Sequence, residues 1–202
     1  MHASDRMIVL VGETMGANTD KREAILKAML DLIVERGFHD APMSALARRS
    51  GASPGVIYHY FPSKDDLIRA VYERVKLTKH EFFFSGYDQK LPPREALLRI
   101  WLNAYRFYRT HRKEARFLDQ YLNSPYCKMS AGDEEPIDAA SKQILKWLRP
   151  RKKGGILKDL PPEAIESLTL GLAASLARSP KNFSVDALRK IAETVWQAVA
   201  DE

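Results

Sequence analysis

Cysteine is almost absent from this 202-residue chain. Cys127 stands alone, which excludes an intramolecular disulfide and any metal site built from several thiolates, and fits a reducing cytoplasm. Long apolar runs are lacking as well. Residues 7–11 form a run shorter than the ~7 to 15 residues of a signal-peptide core, and residues 168–177, broken by Thr169, Gly171 and Ser175, fall far short of the ~20 needed to cross a bilayer. Secretion and membrane insertion are therefore not expected. The five histidines, His2, His39, His59, His80 and His111, include no pair at helical ligand spacing, so no zinc motif and no cofactor are expected. Strong charge of one sign is missing too. The net charge is +6, with 12 basic and 10 acidic residues up to His80 and 20 and 16 after it, so bulk charge alone does not name a nucleic-acid partner.

What is present is globular and helical. A content of 45% hydrophobic and 29% charged residues suits a packed soluble chain. Apolar residues recur at intervals of three and four, seldom two, between eleven prolines spaced to punctuate helices, which predicts an all-α fold. The first helix is expected from Asp20 to Gly37, with Ile25, Ala28, Met29, Leu32 and Ile33 as its buried stripe and residues 1–18 as a flexible arm. A second should open at Pro42 and stop at Gly51. A third should take Ser53 as N-cap and Pro54 as its first residue and last about two turns, to Tyr60. Ser63 and Asp66 then signal the start of a long fourth helix over about 64–85. Beyond it, stripes predict helices after Pro93, around Phe117, from Pro136 to Pro150, from Pro161 to Arg178 and from Ser184 to Ala200.

Three short helices in about forty residues, with a tight turn at 50–52 before a two-turn helix, form the pattern of a helix-turn-helix module. Met43, Leu46 and Ile57 supply its small core, Ala47 and Gly51 allow close approach, and Gly55 lets backbone come near a phosphate. Residues 41–64 hold Arg48, Arg49 and Lys64 and no acid, a local charge of +3. Arg48 and Arg49 are adjacent and cannot share a face, so one of them, Arg48, is assigned to the duplex. Of the two tyrosines on the third helix, Tyr60 is expected inward with Phe61 and Tyr58 outward.

The segment Gly51-Ala52-Ser53-Pro54-Gly55-Val56-Ile57-Tyr58-His59-Tyr60-Phe61-Pro62-Ser63-Lys64-Asp65-Asp66-Leu67 resembles the recognition segment of the tetracycline-repressor (TetR) family, and the likeness extends over residues 20–72. The resemblance implies a homodimeric transcriptional regulator, usually a repressor, that leaves a palindromic double-stranded DNA operator when a small molecule binds its C-terminal domain. It divides the chain into the arm, a helix-turn-helix domain over 19–66, and an effector-binding and dimerisation domain over 67–202. Carried over by position, Ser53, Pro54, Gly55, Val56, Tyr58 and His59 face the major groove or its flanking phosphates, and Lys64 holds a phosphate. This sequence departs from the family where Pro54 replaces a common lysine, Val56 a common threonine, and Pro42 a capping threonine; Val56 is suited instead to a thymine methyl.

The larger C-terminal part carries two further expectations. Trp101, Tyr105, Tyr108, Phe117, Tyr121 and Trp147 lie on inward stripes and are candidates to line a ligand pocket, whereas Arg99, Arg106 and Arg109 lie off the stripe and should face solvent or an acidic neighbour. The last two helices have broad apolar faces suited to a four-helix dimer interface, with Leu168, Leu172, Leu188 and Val195 as its candidates. Gly51-Ala52-Ser53-Pro54-Gly55 also matches a G-x-S-x-G nucleophile elbow. That motif needs a buried strand ahead of its serine, and the preceding Ala45-Leu46-Ala47-Arg48-Arg49-Ser50 is helical in pattern, so catalysis is not expected. The alternative function is a helical small-molecule-binding or enzymatic protein that keeps the N-terminal module without using it on DNA.

Overall fold

A computed structural model describes residues 3–88, 90–129 and 148–201, apart from the side chains of 3–19 and 128–129. The helix expected from Pro136, with Trp147, lies outside the described residues. The order is α1 (Ala3–Arg36), α2 (Met43–Ser50), α3 (Pro54–Tyr60), α4 (Lys64–Phe83), α5 (Pro93–Thr110), α6 (Arg112–Leu122) and α7 (Tyr126–Met129), then α8 (Pro162–Glu166), a π-helical turn (Ser167–Gly171), α9 (Leu172–Arg178) and α10 (Val185–Val199). Among the described residues, extended pairing is limited to isolated bridges of Leu157 with Pro150 and with Ala200. No described helix is long and apolar enough to cross a membrane.

Local chemistry accounts for most boundaries. Gly37 and Gly51 take left-handed φ angles of 83° and 68°, a conformation that costs glycine little and ends α1 and α2. Ser53 caps α3 by accepting from the Val56 N–H at 3.4 Å, and Ser63 accepts from the Asp66 N–H at 3.0 Å at the start of α4. One boundary differs from expectation. Helix α1 begins at Ala3, so residues 3–18 continue it and Asp20 lies inside it. Gly12 and Gly16 each cost about 1 kcal/mol of helix propensity without forbidding the conformation, and no proline occurs before Pro42.

The chain divides into two compact units, Met1–Val75 with Arg116–Gly132 and Lys76–Ala115 with Asp133–Glu202. The first therefore extends past the expected boundary at residue 66 and recruits a segment distant in sequence. Its core joins Ile25, Met29, Leu32 and Ile33 of α1 to Leu46, Ile57, Leu67, Ile68 and Val71, all at most 1% exposed, and to Phe117 and Tyr121 of α6. Each such side chain contributes roughly 1.5–3 kcal/mol by leaving water. In the second unit, α5 packs against α9 and α10, and Trp101, Ala104, Phe107, Ala173, Ala192 and Val199 fill the contact. Asn103, itself buried, donates from Nδ2 to the carbonyls of Phe83 and Ser85 and satisfies the end of α4.

Candidate functional site

Helix α3 buries one side and bares the other. Ile57 is fully buried, and Val56 and Tyr60 pack against the first core, while Ser53, Pro54, Gly55, Tyr58 and His59 are exposed, Tyr58 by 50%. Positions 54, 55, 58 and 59 fall on one helical face. A Cβ built at Gly55 would meet nothing within 4 Å, so open space lies directly in front of that backbone. Of the candidates for the duplex, Val56 is the one turned partly into the core, since it follows the Ile57 side of so short a helix.

The basic residues divide by their partners. Arg49 donates from Nη2 to Glu35 Oε2 at 2.8 Å and so ties α2 to α1; this hydrogen bond holds the Glu35 carboxyl below its ordinary pKa. Arg48 is exposed. Lys64 is half-buried and donates from Nζ to the Phe38 carbonyl at 2.8 Å, across the turn between α1 and α2. Its ammonium thus braces the turn within the module. Lysine carries three donors, and one is spent on the turn.

The aromatic residues proposed for a pocket separate into two groups. Phe117 and Tyr121 belong to the first unit, where Tyr121 stacks on Tyr72 at 4.1 Å between centroids and Phe38 packs on Phe117, Tyr121 and Tyr126. They pack in the first core. The Tyr126 hydroxyl is held above its ordinary pKa by burial and by the Asp65 carboxylate to which it is hydrogen-bonded. Tyr105 and Tyr108 pack in the second core, against Phe183 and Phe83 respectively.

Trp101 does line a cavity. A partly open cavity of about 220 Å³ in the second unit is lined by Lys79, His80 and Phe83 at the end of α4, by Phe84 just beyond it, by Leu97, Ile100 and Trp101 of α5, by Leu148 and Leu157, and by Ile165, Thr169 and Leu170. The wall includes the π-helical turn, where the Leu172 N–H reaches back to the Ser167 carbonyl. The Trp101 indole N–H donates to the Thr169 carbonyl at 3.0 Å, and the Thr169 hydroxyl donates to the Ile165 carbonyl at 2.7 Å. Such π turns, one residue wider than α, are frequent at functional sites. The sequence reading found Trp101 by its stripe and missed the rest, because Lys79 and His80 look like polar surface residues at the end of α4.

Two other expectations are corrected. Arg109 is half-buried, and its guanidinium donates to the carbonyls of Ala177 and Ser179 at 3.1 and 2.8 Å, at the C-terminal end of α9 where the helix dipole favours a cation, and to Asn182 Oδ1. Leu188 and Val195 are 8% and 2% exposed and sit with Ala192 and Val199 in the protomer's own core, so they are not available to a second subunit. Leu168, 41% exposed, and half-buried Leu172 remain on the surface.

Residues 25–71 match the family model of bacterial regulatory proteins of the tetR family, and residues 92–200 match that of a tetracyclin repressor-like C-terminal domain. The chain belongs to the TetR family. An uncharacterized HTH-type transcriptional regulator of Haemophilus influenzae is 26% identical over 191 residues, covering 91% of this chain and 97% of its own. The HTH-type transcriptional regulator BetI of Klebsiella pneumoniae is 43% identical over 56 residues, a match covering 28% of this chain and 29% of that protein. Among solved structures, a TetR-family transcriptional regulator from H. influenzae superposes with a TM-score of 0.73 at 25% identity over 92% of this chain and 99% of its own. A TetR family transcription regulator from Marinobacter aquaeolei shares the fold, with a TM-score of 0.80 at 20% identity over 93% of this chain and 100% of its own. This TetR-family chain is thus a DNA-binding helix-turn-helix regulator.

Proposed function

We propose that the protein is a homodimeric repressor that a small molecule releases from a palindromic operator in the cytoplasm. The observation that carries this reading is the bare face of α3, where Gly55, Tyr58 and His59 stand exposed in a stretch free of acidic residues. Tyr58 and His59 read base edges, Ser53 and the Gly55 backbone approach phosphate, and Arg48 supplies charge from α2. A two-turn helix makes few base contacts, so two copies on half-sites ~34 to 36 Å apart are needed for specificity. The dimer forms through the surface of the π-helical turn and α9 that carries Leu168 and Leu172.

The effector occupies the cavity beside Trp101. Helix α4 supports coupling, because its residues Ile68, Val71 and Val75 lie in the core that carries α3 while Lys79, His80 and Phe83 line the cavity. Near-complete release requires the ligand to prefer one state by ~10⁴, on the order of 5.5 kcal/mol. The test is fluorescence anisotropy of the purified protein on its own upstream intergenic DNA and on a scrambled duplex at two salt concentrations. Sequence-selective binding, weakening with salt by a slope of about −0.9 per phosphate neutralised, is expected. Equal weak binding to both duplexes would favour the reading in which the module is kept without use on DNA.

A further inference from the structure

The polar side chains around the cavity beside Trp101 are already spent. The Trp101 indole N–H donates to the Thr169 carbonyl, and the Thr169 hydroxyl donates to the Ile165 carbonyl. Lys79 has interactions of its own within the protein, and its ammonium lies 6.0 Å from the centroid of the Phe83 ring. His80 Nε2 has almost no accessible surface, so that nitrogen does not open onto the cavity. Among the described residues of the wall there is no acidic side chain. What faces the space is hydrocarbon, with Ile100, Leu157, Ile165 and Leu170 beside the rings of Phe83 and Trp101. A hydrocarbon-lined cavity of roughly 150 Å³ in an engineered protein stays dry and takes benzene. At about 220 Å³ this one is half again as large, which gives room for a skeleton of roughly nine carbon atoms.

We propose that this cavity takes a neutral, lipophilic small molecule of that size, held by dispersion and by the removal of apolar surface from water and not by an ionic anchor. The inference rests on the reading of this cavity as the effector site and names the chemistry of the effector. A charged head drawn in beside Trp101 loses its water and meets no free partner in the described wall, a loss that neither sign of charge escapes. A hydroxyl loses less, and a hydrocarbon loses nothing. For molecules of one skeleton, affinity therefore falls from hydrocarbon to alcohol to ion, and the discrimination comes from desolvation that the wall does not repay.

The test is equilibrium dialysis of the full-length protein, in sealed cells, against propylbenzene, 3-phenylpropan-1-ol, 3-phenylpropanoate and 3-phenylpropylammonium, four probes of one nine-carbon skeleton. Propylbenzene is expected to bind at least about tenfold more tightly than either ion, with the alcohol between them. Leu170→Trp and, separately, Ile165→Trp fill the cavity from two different turns, and each should abolish propylbenzene binding while the circular-dichroism melt stays cooperative. Leu170→Met, close to leucine in volume, should retain it. An ion that binds as tightly as the hydrocarbon, its head reaching water through the open side of the cavity, would overturn the proposal. So would no binding of any probe, or propylbenzene binding that survives both tryptophan substitutions. Operator binding without probe is measured in parallel. Selective operator binding without a propylbenzene preference removes this inference and leaves the regulator; a propylbenzene preference without operator binding does the reverse.

Discussion

The two units of this chain solve opposite packing problems. The first buries Leu46 and Ile57 fully, fixes its helix ends with caps and left-handed glycines, and keeps its free volume, about 230 Å³, in a groove lined by Asp20, Lys21, Ser50 and Ser53. The second leaves a chamber of about 220 Å³ between helices that are otherwise as well filled, with Phe107, Ala173 and Val199 all at 0% exposure. On the proposed reading, the seven residues of α3 hold their aim on DNA only if everything behind them is rigid, whereas an effector site must leave volume for its ligand.

Matched truncations sharpen this contrast most. Leu46→Ala opens a hole in a core with no slack, and a loss of about 2–5 kcal/mol with failure of operator binding is expected in chemical denaturation and anisotropy. Leu170→Ala, at the partly exposed wall of an existing cavity, should cost about 1 kcal/mol or less, because few contacts are lost beside a void. Equal losses at the two sites would break the comparison.

The next effect separates stability from reading within one residue. Gly55 has no positive φ, and a Cβ there meets nothing within 4 Å. Gly55→Ala should therefore leave the melting temperature unchanged or raise it, since alanine gains up to about 1 kcal/mol of helix propensity. Operator affinity should nonetheless fall about tenfold, because the methyl stands where the backbone approaches DNA. Full affinity in that variant would show that α3 does not come so close.

Arg48 and Arg49 give a smaller contrast between neighbours. Arg48→Ala should lower the salt slope of operator binding by about one, whereas Arg49→Ala, whose guanidinium is committed to Glu35, should leave the slope unchanged. A slope change in Arg49→Ala and none in Arg48→Ala would reverse the assignment.

Legibility in the sequence follows the same divide. The reader module is specified by neighbours: Ser53 with Val56, Ser63 with Asp66, and the glycines at 37 and 51 all act within a few residues, so its helices could be placed from the chain alone. The partners of its side chains could not, since Arg49 with Glu35 and Lys64 with Phe38 are separated by 14 and 26 positions. In the second unit, the cavity is assembled from residues between 79 and 170, and a hole leaves no periodic signature. Helical stripes mark Trp101 and Tyr105 alike as inward-facing without telling which faces protein and which faces empty space. The same limit misled the reading of Phe117 and Tyr121, whose stripe is real and whose neighbours are Phe38 and Tyr72. It also misled the reading of Leu188 and Val195, which share one face of α10 with Ala192 and lie in the protomer's own core.

The smallest expected effect concerns pH. The Arg49 hydrogen bond holds the Glu35 carboxyl below its ordinary pKa in the folded chain, so folding favours the ionised form. Stability from this pair is then fully present above the unfolded-state value of 4.5 and is lost as pH falls through the lower folded value. Both side chains are well exposed, so screening by water and salt keeps the contribution small. Thermal melts of the wild type and Arg49→Ala should run in parallel above pH 5 and converge below it. A constant offset down to the lowest pH would mean that Arg49 stabilises the module through the packing of its aliphatic stem along α1 and not through its charge. Convergence would mean that α2 is tied to α1 by an electrostatic contact that acid can release, in contrast to the aliphatic core beneath it, which carries no titratable group between Leu46 and Ile57.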